Sequence, residues 1–198
     1  SKTQDKYIKL MVSEISESII KGCAEKDPGC QKVIYEYYYK RMYAICVRYT
    51  GDRDEAKDLL HDGFIKLFDK IGSFSEAGKL DAWVRRLFTN HCIDYVRSAY
   101  KKYVFNSIED QADRLSDHAE EEQDNKEFDP LSYSPEQLFT AMQSLRPDYR
   151  TIINLYAIEN YSHQEIADKL GIEHASSRSK LLRARQALKK IIIDQNKS

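Results

Sequence analysis

Residues 162–193 read SHQEIADKLGIEHASSRSKLLRARQALKKIII, and this stretch decides the fold. Ser162 with Glu165 three positions on is a capping box, in which the serine oxygen takes a backbone N–H of the first helical turn and the glutamate reaches back to the serine N–H. The helix it opens, Ser162 to Leu170, closes at Gly171, a residue free to take the left-handed conformation that turns a chain sharply. Only Gly171 to His174 separate it from a second helix running from about Ala175 to Ile193. Two helices joined this tightly form a helix-turn-helix. Ala167 is small where the second helix must cross closely, and Ile166, Leu170, Ile172 and Leu181 can pin the pair together.

The second helix divides into two faces when its residues are placed about 100° apart. Ser177, Leu181, Ala184, Leu188 and Ile191 make a narrow apolar seam, and Arg178, Ser179, Leu182, Arg183, Gln186, Lys189 and Lys190 occupy the opposite arc. Six Lys/Arg and no acid fall between Ala175 and Ile193. In a major groove, arginines near a helix start reach guanine O6 and N7 while later lysines meet phosphates. Arg178, Ser179, Lys180, Leu182, Arg183 and Gln186 are therefore the candidate DNA-reading set. A basic helix end can also serve only its own dipole and a solvated face. The capped helix and glycine turn ahead of it favour DNA.

Upstream, Ser134-Pro135-Glu136-Gln137 is a further helix start, with serine to cap, proline suited to the first turn and glutamine to reach back. Helices are expected over Pro135–Leu145 and Pro147–Ile158, so residues 133–198 read as a small helical domain. Before it, residues 106–132 carry 2 basic and 10 acidic groups with no apolar period, a composition too polar to offset its ordering entropy. They read as a flexible linker, with a root-mean-square reach of about 25–30 Å. Acidic charge would extend it and, in a basic channel, let it imitate nucleic acid; a plain solvated spacer is the simpler alternative.

Residues 1–105, with 19 basic and 15 acidic groups, read as helices throughout. Ile34, Tyr38, Met42, Ile45 and Tyr49 keep one helical face over Gln31–Tyr49, and Gly51 ends that helix. Asp52 with Glu55 can cap the next, whose stripe is Ala56, Leu60, Gly63, Phe64, Leu67 and Ile71. A third runs from about Leu80 to Tyr100 over Leu80, Val84, Leu87, Phe88 and Tyr95. Ile8, Val12, Ile15 and Ile19 suggest a weaker helix over Tyr7–Cys23. No stretch alternates with period two, so the fold class is all-α: two small helical domains joined by an acidic linker.

The other arc of the third helix gathers Trp83, Arg86, Asn90, Arg97 and Lys101, with Phe74 and Ser75 in the loop just before it. Cations hold phosphate, an amide reads a base edge, and exposed rings stack on unpaired bases. A lone tryptophan on an amphipathic helix is, on its own, more often core than stacking platform.

The sequence argues against several other classes. The five histidines are scattered, and no HExxH helix, P-loop, GxSxG elbow or GxGxxG is present, so no catalytic residue and no cofactor is expected. Asp58, His61 and Asp62 share a helix, but solvated helix charges explain them better than a metal does. Cys23, Cys30, Cys46 and Cys92 form no CxxC pair and read as reduced thiols of a cytoplasmic protein. No run approaches the roughly 20 apolar residues of a bilayer span, and Ser1–Glu14 lacks the pattern of an export signal.

Taken together, these segments resemble the bacterial RNA polymerase sigma factors of the extracytoplasmic-function (ECF) class, in the form common among Bacteroidetes. YEYYYKRMYAICVRYTGDRDEAKDLLHDGFIKLFDKIGSF (35–74) is similar to the first domain of that family, and DAWVRRLFTNHCIDYVR (81–97) matches its W-x6-N-x3-D-x2-R pattern at Trp83, Asn90, Asp94 and Arg97. LRPDYRTIINLYAIENYSHQEIADKLGI (145–172) and SRSKLLRARQAL (177–188) are similar to its promoter-binding helix-turn-helix. His61 stands where many relatives have glutamine, and Glu173–Ser177 replaces a turn often written Ser-Glu-Gly-Thr.

The resemblance implies a transcription initiation factor, itself without catalysis, that directs core RNA polymerase to promoters through contacts with its beta-prime and beta subunits. By matching position, Asp58, His61, Asp62, Phe64 and Ile65 would dock on the beta-prime coiled coil. Phe74, Ser75 and Asn90, with their neighbours on the third helix, would open the minus-10 element. Arg178, Ser179, Leu182 and Arg183 would read the minus-35 element. An anti-sigma factor is the further partner implied by the class. A monomer is expected when free, since a directional promoter gains nothing from two-fold symmetry. The readings that compete with this one are a stand-alone helix-turn-helix regulator and a helical adaptor that binds protein only.

Overall fold

The computed structural model describes residues 15–75, 79–104 and 134–195, of which 99–104 and 135 are described by backbone alone. The expected helix residues Ile8 and Val12, and the acidic segment 106–132, lie outside the described residues. Eight α-helices follow in order: α1 (Glu17–Ala24), α2 (Pro28–Thr50), α3 (Arg53–Lys70), α4 (Leu80–Val104), α5 (Pro135–Ser144), α6 (Pro147–Ile153), α7 (His163–Leu170) and α8 (His174–Gln195). A 3-10 turn at Ile71–Ser73 follows α3, and a π turn at Asn154–Ile158 follows α6. No strand occurs among the described residues.

The described residues divide into two compact units, the first falling within 1–47 and 53–92, the second within 48–52 and 93–198. In the first, the stripe of α2 is buried at Ile34, Tyr38, Met42 and Ile45, and that of α3 at Ala56, Leu60, Gly63, Phe64 and Leu67, with Ile71 just beyond. The buried face of α4 is Leu80, Val84, Phe88 and Cys92. Each such aliphatic or aromatic side chain contributes about 1.5–3 kcal/mol by leaving water. Gly63 lets α3 approach α4 closely: a Cβ there would lie 2.9 Å from Cδ1 and Cζ of Phe88 and nearer still to Cε1.

Two polar clusters fix the helices of this unit. The Tyr38 hydroxyl donates to Asp81 Oδ1 at 2.6 Å, and Arg41 Nη1 donates to Oδ2 at 3.1 Å. Burial would raise the Asp81 carboxyl, but these donors together hold it below its ordinary range. His91 is buried, with Nε2 3.1 Å from the Leu59 carbonyl and Nδ1 2.9 Å from the Lys66 ammonium. A neutral ring carrying its proton on Nε2 satisfies both bonds, since ammonium can only donate. In the same unit the Cys23 thiol, free and buried, is pushed up to about 11 mainly by its burial.

In the second unit both expected capping boxes form. Gln137 N–H donates to Ser134 Oγ at 3.2 Å, and Ser134 N–H donates to Gln137 Oε1 at 3.0 Å. Glu165 N–H donates to Ser162 Oγ at 3.3 Å, and Ser162 N–H donates to Glu165 Oε2 at 2.8 Å. Gly171 has φ 68° and ψ 39°, the left-handed conformation, and its N–H bonds the Ala167 carbonyl at 2.8 Å. The core gathers Ala141, Leu145, Ile152, Leu155, Ile166, Ala167, Leu181, Ala184 and Leu188.

Two details differ from the sequence reading. The single helix expected over Pro147–Ile158 is α-helical only to Ile153, where it widens into a π turn: Glu159 N–H bonds the Asn154 carbonyl five residues back, and Asn154 is fully buried. Apolar spacing over one turn does not distinguish the two windings. The seam of α8 ends on Ile192, fully buried, where Ile191 was expected; Ile191 is half-buried.

Candidate nucleic-acid and polymerase interfaces

Helix α8 turns its seam inward, with Ser177 fully buried beside Leu181, Ala184 and Leu188. Packing that seam leaves Arg178, Leu182 and Gln186 exposed and Ser179 and Arg183 half-buried on the other side. Leu182 keeps 51 % of its surface. Ser179 Oγ donates to the Ser176 carbonyl at 3.3 Å. Lys180 departs from this face. Its ammonium lies 2.8 Å from Asp148 Oδ2, and Asp148 also receives Arg146 Nε at 3.2 Å. Both side chains of the Lys180–Asp148 pair are largely buried, so Lys180 braces α8 on α6.

At the start of α8 a ring cluster joins three elements. The His163 ring stacks on Tyr156 at 4.9 Å, lies edge-on to His174 at 6.1 Å, and places Nδ1 3.0 Å from Ser177 Oγ. Burial first, then the positive charge of Arg178, His174 and Arg185, hold the His163 imidazole below its ordinary range. Nothing in the spacing of α7 singled His163 out. Only the fold brings it onto Ser177.

The outward arc of α4 in the first unit carries Arg86 and Asn90, both exposed, and Trp83, half-buried. The Trp83 ring is supported by Phe74, 5.4 Å away at 51°. Trp83 is thus braced without being lost to the core. Phe74 and the exposed Ser75 face an open groove of about 380 Å³ whose far wall is Glu17, Ile20 and Lys21 of α1 and whose floor includes Ile71. The sequence reading did not assign α1 to this site, because its short helix shows no contact with the loop in linear order. Arg97, further along α4, is exposed in the second unit, and Lys101 lies on the helix with its side chain outside the described atoms.

On α3, Asp58, His61, Asp62 and Ile65 are exposed, Ile65 at 49 %. Phe64 is taken off that surface: it is 2 % exposed, edge-on to Phe88 at 5.2 Å and 4.5 Å from Tyr35. Residues 61, 62, 64 and 65 span only about 160° of arc, so spacing alone does not separate them; Phe64 stands at the edge of that arc, and its contacts with Phe88 and Tyr35 take it inward. Beside it α2 carries a ladder missed in the sequence, Tyr35 to Tyr39 at 5.4 Å and Tyr39 to Tyr43 at 6.1 Å. Its four-residue spacing was the available signal.

Among the described residues no three His, Cys, Asp or Glu side chains are placed to hold a metal ion, and no helix is long and apolar enough to cross a membrane. The described residues form helices only, with a helix-turn-helix whose second helix carries basic residues on its outward arc. Comparison with known proteins places the chain further. Residues 34–102 match the model of sigma-70 region 2, and residues 136–188 that of sigma-70 region 4. The chain is 27 % identical over 190 residues to the ECF RNA polymerase sigma factor SigW of Bacillus subtilis, covering 94 % of this chain and 100 % of the relative. It is 30 % identical over 157 residues to SigM of the same organism, 79 % and 91 %. Among solved structures, the sigma factor RpoE in complex with the anti-sigma factor NepR from Bartonella quintana is similar at 22 % identity, over 81 % of this chain and 95 % of that one, with TM-score 0.48. The chain belongs to the ECF sigma factors, which direct RNA polymerase to promoters.

Proposed function

We propose that this sigma factor divides its work as follows. Residues 1–105 dock on core polymerase through the exposed face of α3, with Asp58, His61, Asp62 and Ile65 as contacts, and open the minus-10 element with Phe74, Ser75, Trp83, Arg86, Asn90, Arg97 and Lys101. Residues 133–198 read the minus-35 element with Arg178, Ser179, Leu182, Arg183 and Gln186, and residues 106–132 tether the two. The chain performs no catalysis of its own and acts where polymerase and DNA are. A partner of the anti-sigma kind accounts for its control.

One observation carries this reading: α8 buries a polar-capped apolar seam and keeps a cationic arc with a bare leucine on the outside. Such an arc fits a groove, where arginine forks meet guanine and a leucine meets a thymine methyl. The braced Trp83–Phe74 pair beside Arg86 and Asn90 suits unpaired bases in the same way.

The test is reconstitution with core RNA polymerase, followed by promoter binding and transcription. The mixture is expected to initiate at defined starts. Arg178→Ala and Arg183→Ala should each relax selection at one or two minus-35 positions at a cost of about 1–3 kcal/mol. Asn90→Ala should impair opening and leave duplex binding in place. Tight operator binding by the protein alone, unaffected by polymerase, would instead identify a stand-alone regulator.

A further inference from the structure

The seam of α8 contains one buried hydroxyl. Ser177 is fully buried on the same seam as Leu181, Ala184 and Leu188, at a place where an alanine would carry no polar requirement. A hydroxyl withdrawn from water is costly unless bonded, and here the partner is His163 Nδ1 at 3.0 Å. The histidine is itself held on two sides, stacked on Tyr156 of the π turn and edge-on to His174 at the start of α8. Its backbone is fixed as well, since His163 is the first residue of α7 and follows the capping-box serine.

The interdigitated seam and the Lys180–Asp148 pair hold α8 on its neighbours, but neither acts at the first turn of the helix, and dispersion contacts carry no direction of their own. A hydrogen bond does, and this one is made to the residue immediately before Arg178. Rolling α8 by even one residue would swing its reading arc by about 100°. His163 and Ser177 together therefore fix the azimuth of the first turn, from which Arg178, Leu182 and Arg183 project.

We propose that His163 is the positioning residue of the minus-35 reader: its hydrogen bond to Ser177 sets the rotation of α8 and thereby which bases the helix selects. This rests on the reading of α8 given above. The groups facing the ring are Tyr156 from the π turn and His174, Ser177, Arg178 and Arg185 from α8, with Glu165 of its own helix turned back to Ser162. The cations around it favour the neutral ring, the form able to accept the hydroxyl proton.

Full-length protein, reconstituted with core RNA polymerase, selects bound DNA from a library randomised through both promoter elements. His163→Phe keeps a ring to stack and removes the bond. His163→Asn gives up the ring and keeps a polar atom where Nδ1 stood. The expected result is that His163→Phe lowers discrimination at minus-35 positions about fivefold, the worth of one net hydrogen bond. The minus-10 preference and the affinity for core polymerase stay unchanged, and His163→Asn recovers most of the minus-35 preference. Ser177→Ala should match His163→Phe, and the double variant should add nothing further.

The proposal is overturned if His163→Phe enriches the same minus-35 sequences as the parent, or if His163→Asn loses as much as His163→Phe. Equal loss of minus-10 and minus-35 preference would also overturn it, by showing a role in folding only. If Arg178→Ala and Arg183→Ala leave the enriched minus-35 sequences unaltered, the reading of α8 itself has failed. If they blunt selection and His163→Phe does not, only the positioning role has.

Discussion

Replacing Gly63 by alanine adds one methyl group where α3 and α4 come closest. The new Cβ would stand 2.9 Å from Cδ1 and Cζ of Phe88 and nearer still to Cε1, against an ordinary contact distance of 3.4–4 Å. Phe88 is fully buried and braced edge-on by Phe64 at 5.2 Å, so its ring has no free direction in which to yield. Overpacking of this kind costs about 1–3 kcal/mol, and contact with three ring atoms places it at the upper end. Alanine is a better helix former than glycine by about 0.8–1 kcal/mol, which offsets part of that cost. The net expectation is a first unit less stable by about 2 kcal/mol.

Trp83 is the single tryptophan and belongs to the first unit, so its fluorescence in a urea titration follows that unit in the full chain. Gly63→Ala should lower the midpoint at unchanged slope. Phe88→Leu, destabilising by itself, should cost less in the Gly63→Ala background, because it removes the ring atoms that the methyl group strikes. A Gly63→Ala protein as stable as the parent, or more so, would refute the close approach on which the argument depends.

Three further outcomes follow from the same geometry. Ile65→Glu, at a side chain 49 % exposed, should weaken binding to core polymerase at least tenfold in a pulldown titration while leaving stability within about 0.5 kcal/mol. Lys190→Ala, at an exposed cation of α8, should reduce the slope of log affinity against log salt for promoter DNA by about one; Lys180→Ala should leave that slope alone and lower the stability of the second unit, because Lys180 is spent on Asp148. Burial and neighbouring cations hold His163 below the 6.5 of a free imidazole, so the unfolded chain takes that proton first as pH falls. Its contribution is then complete above pH 6.5 and is lost as pH drops through the depressed value; urea midpoints of the second unit should fall between pH 7.5 and 5.5, less steeply in His163→Gln.

The helices were legible where the signal was local and periodic. The stripe Ile34, Tyr38, Met42, Ile45 needed only a period of 3.6, and the boxes at Ser134 and Ser162 needed only a serine and its partner three residues on. Gly171 was legible because few other residues tolerate φ near 68°. What could not be read depends on groups distant in sequence. Phe64 and Ile65 are both large and apolar, yet one meets Phe88 and the other meets solvent. Lys180 looks like any other cation of its helix until Asp148, 32 residues earlier, is placed under it.

Arg150 shows the same limit in a stronger form. Arginine is mostly an exposed residue type, but Arg150 is 4 % exposed, and its guanidinium donates to the Thr50 carbonyl at 2.7 Å and to those of Gln143 and Leu145 at 3.1 and 3.4 Å. Those acceptors are helix-end carbonyls left without intrahelical donors, and a planar five-donor fork suits several of them at once where an apolar side chain would leave each unpaired. Arg178, by contrast, is exposed on the outward arc of α8. Arg150 and Arg178 are therefore told apart by what lies around them. A charge that the fold itself satisfies holds the second unit together, whereas a charge held outward over a fixed seam remains available to a phosphate or a base.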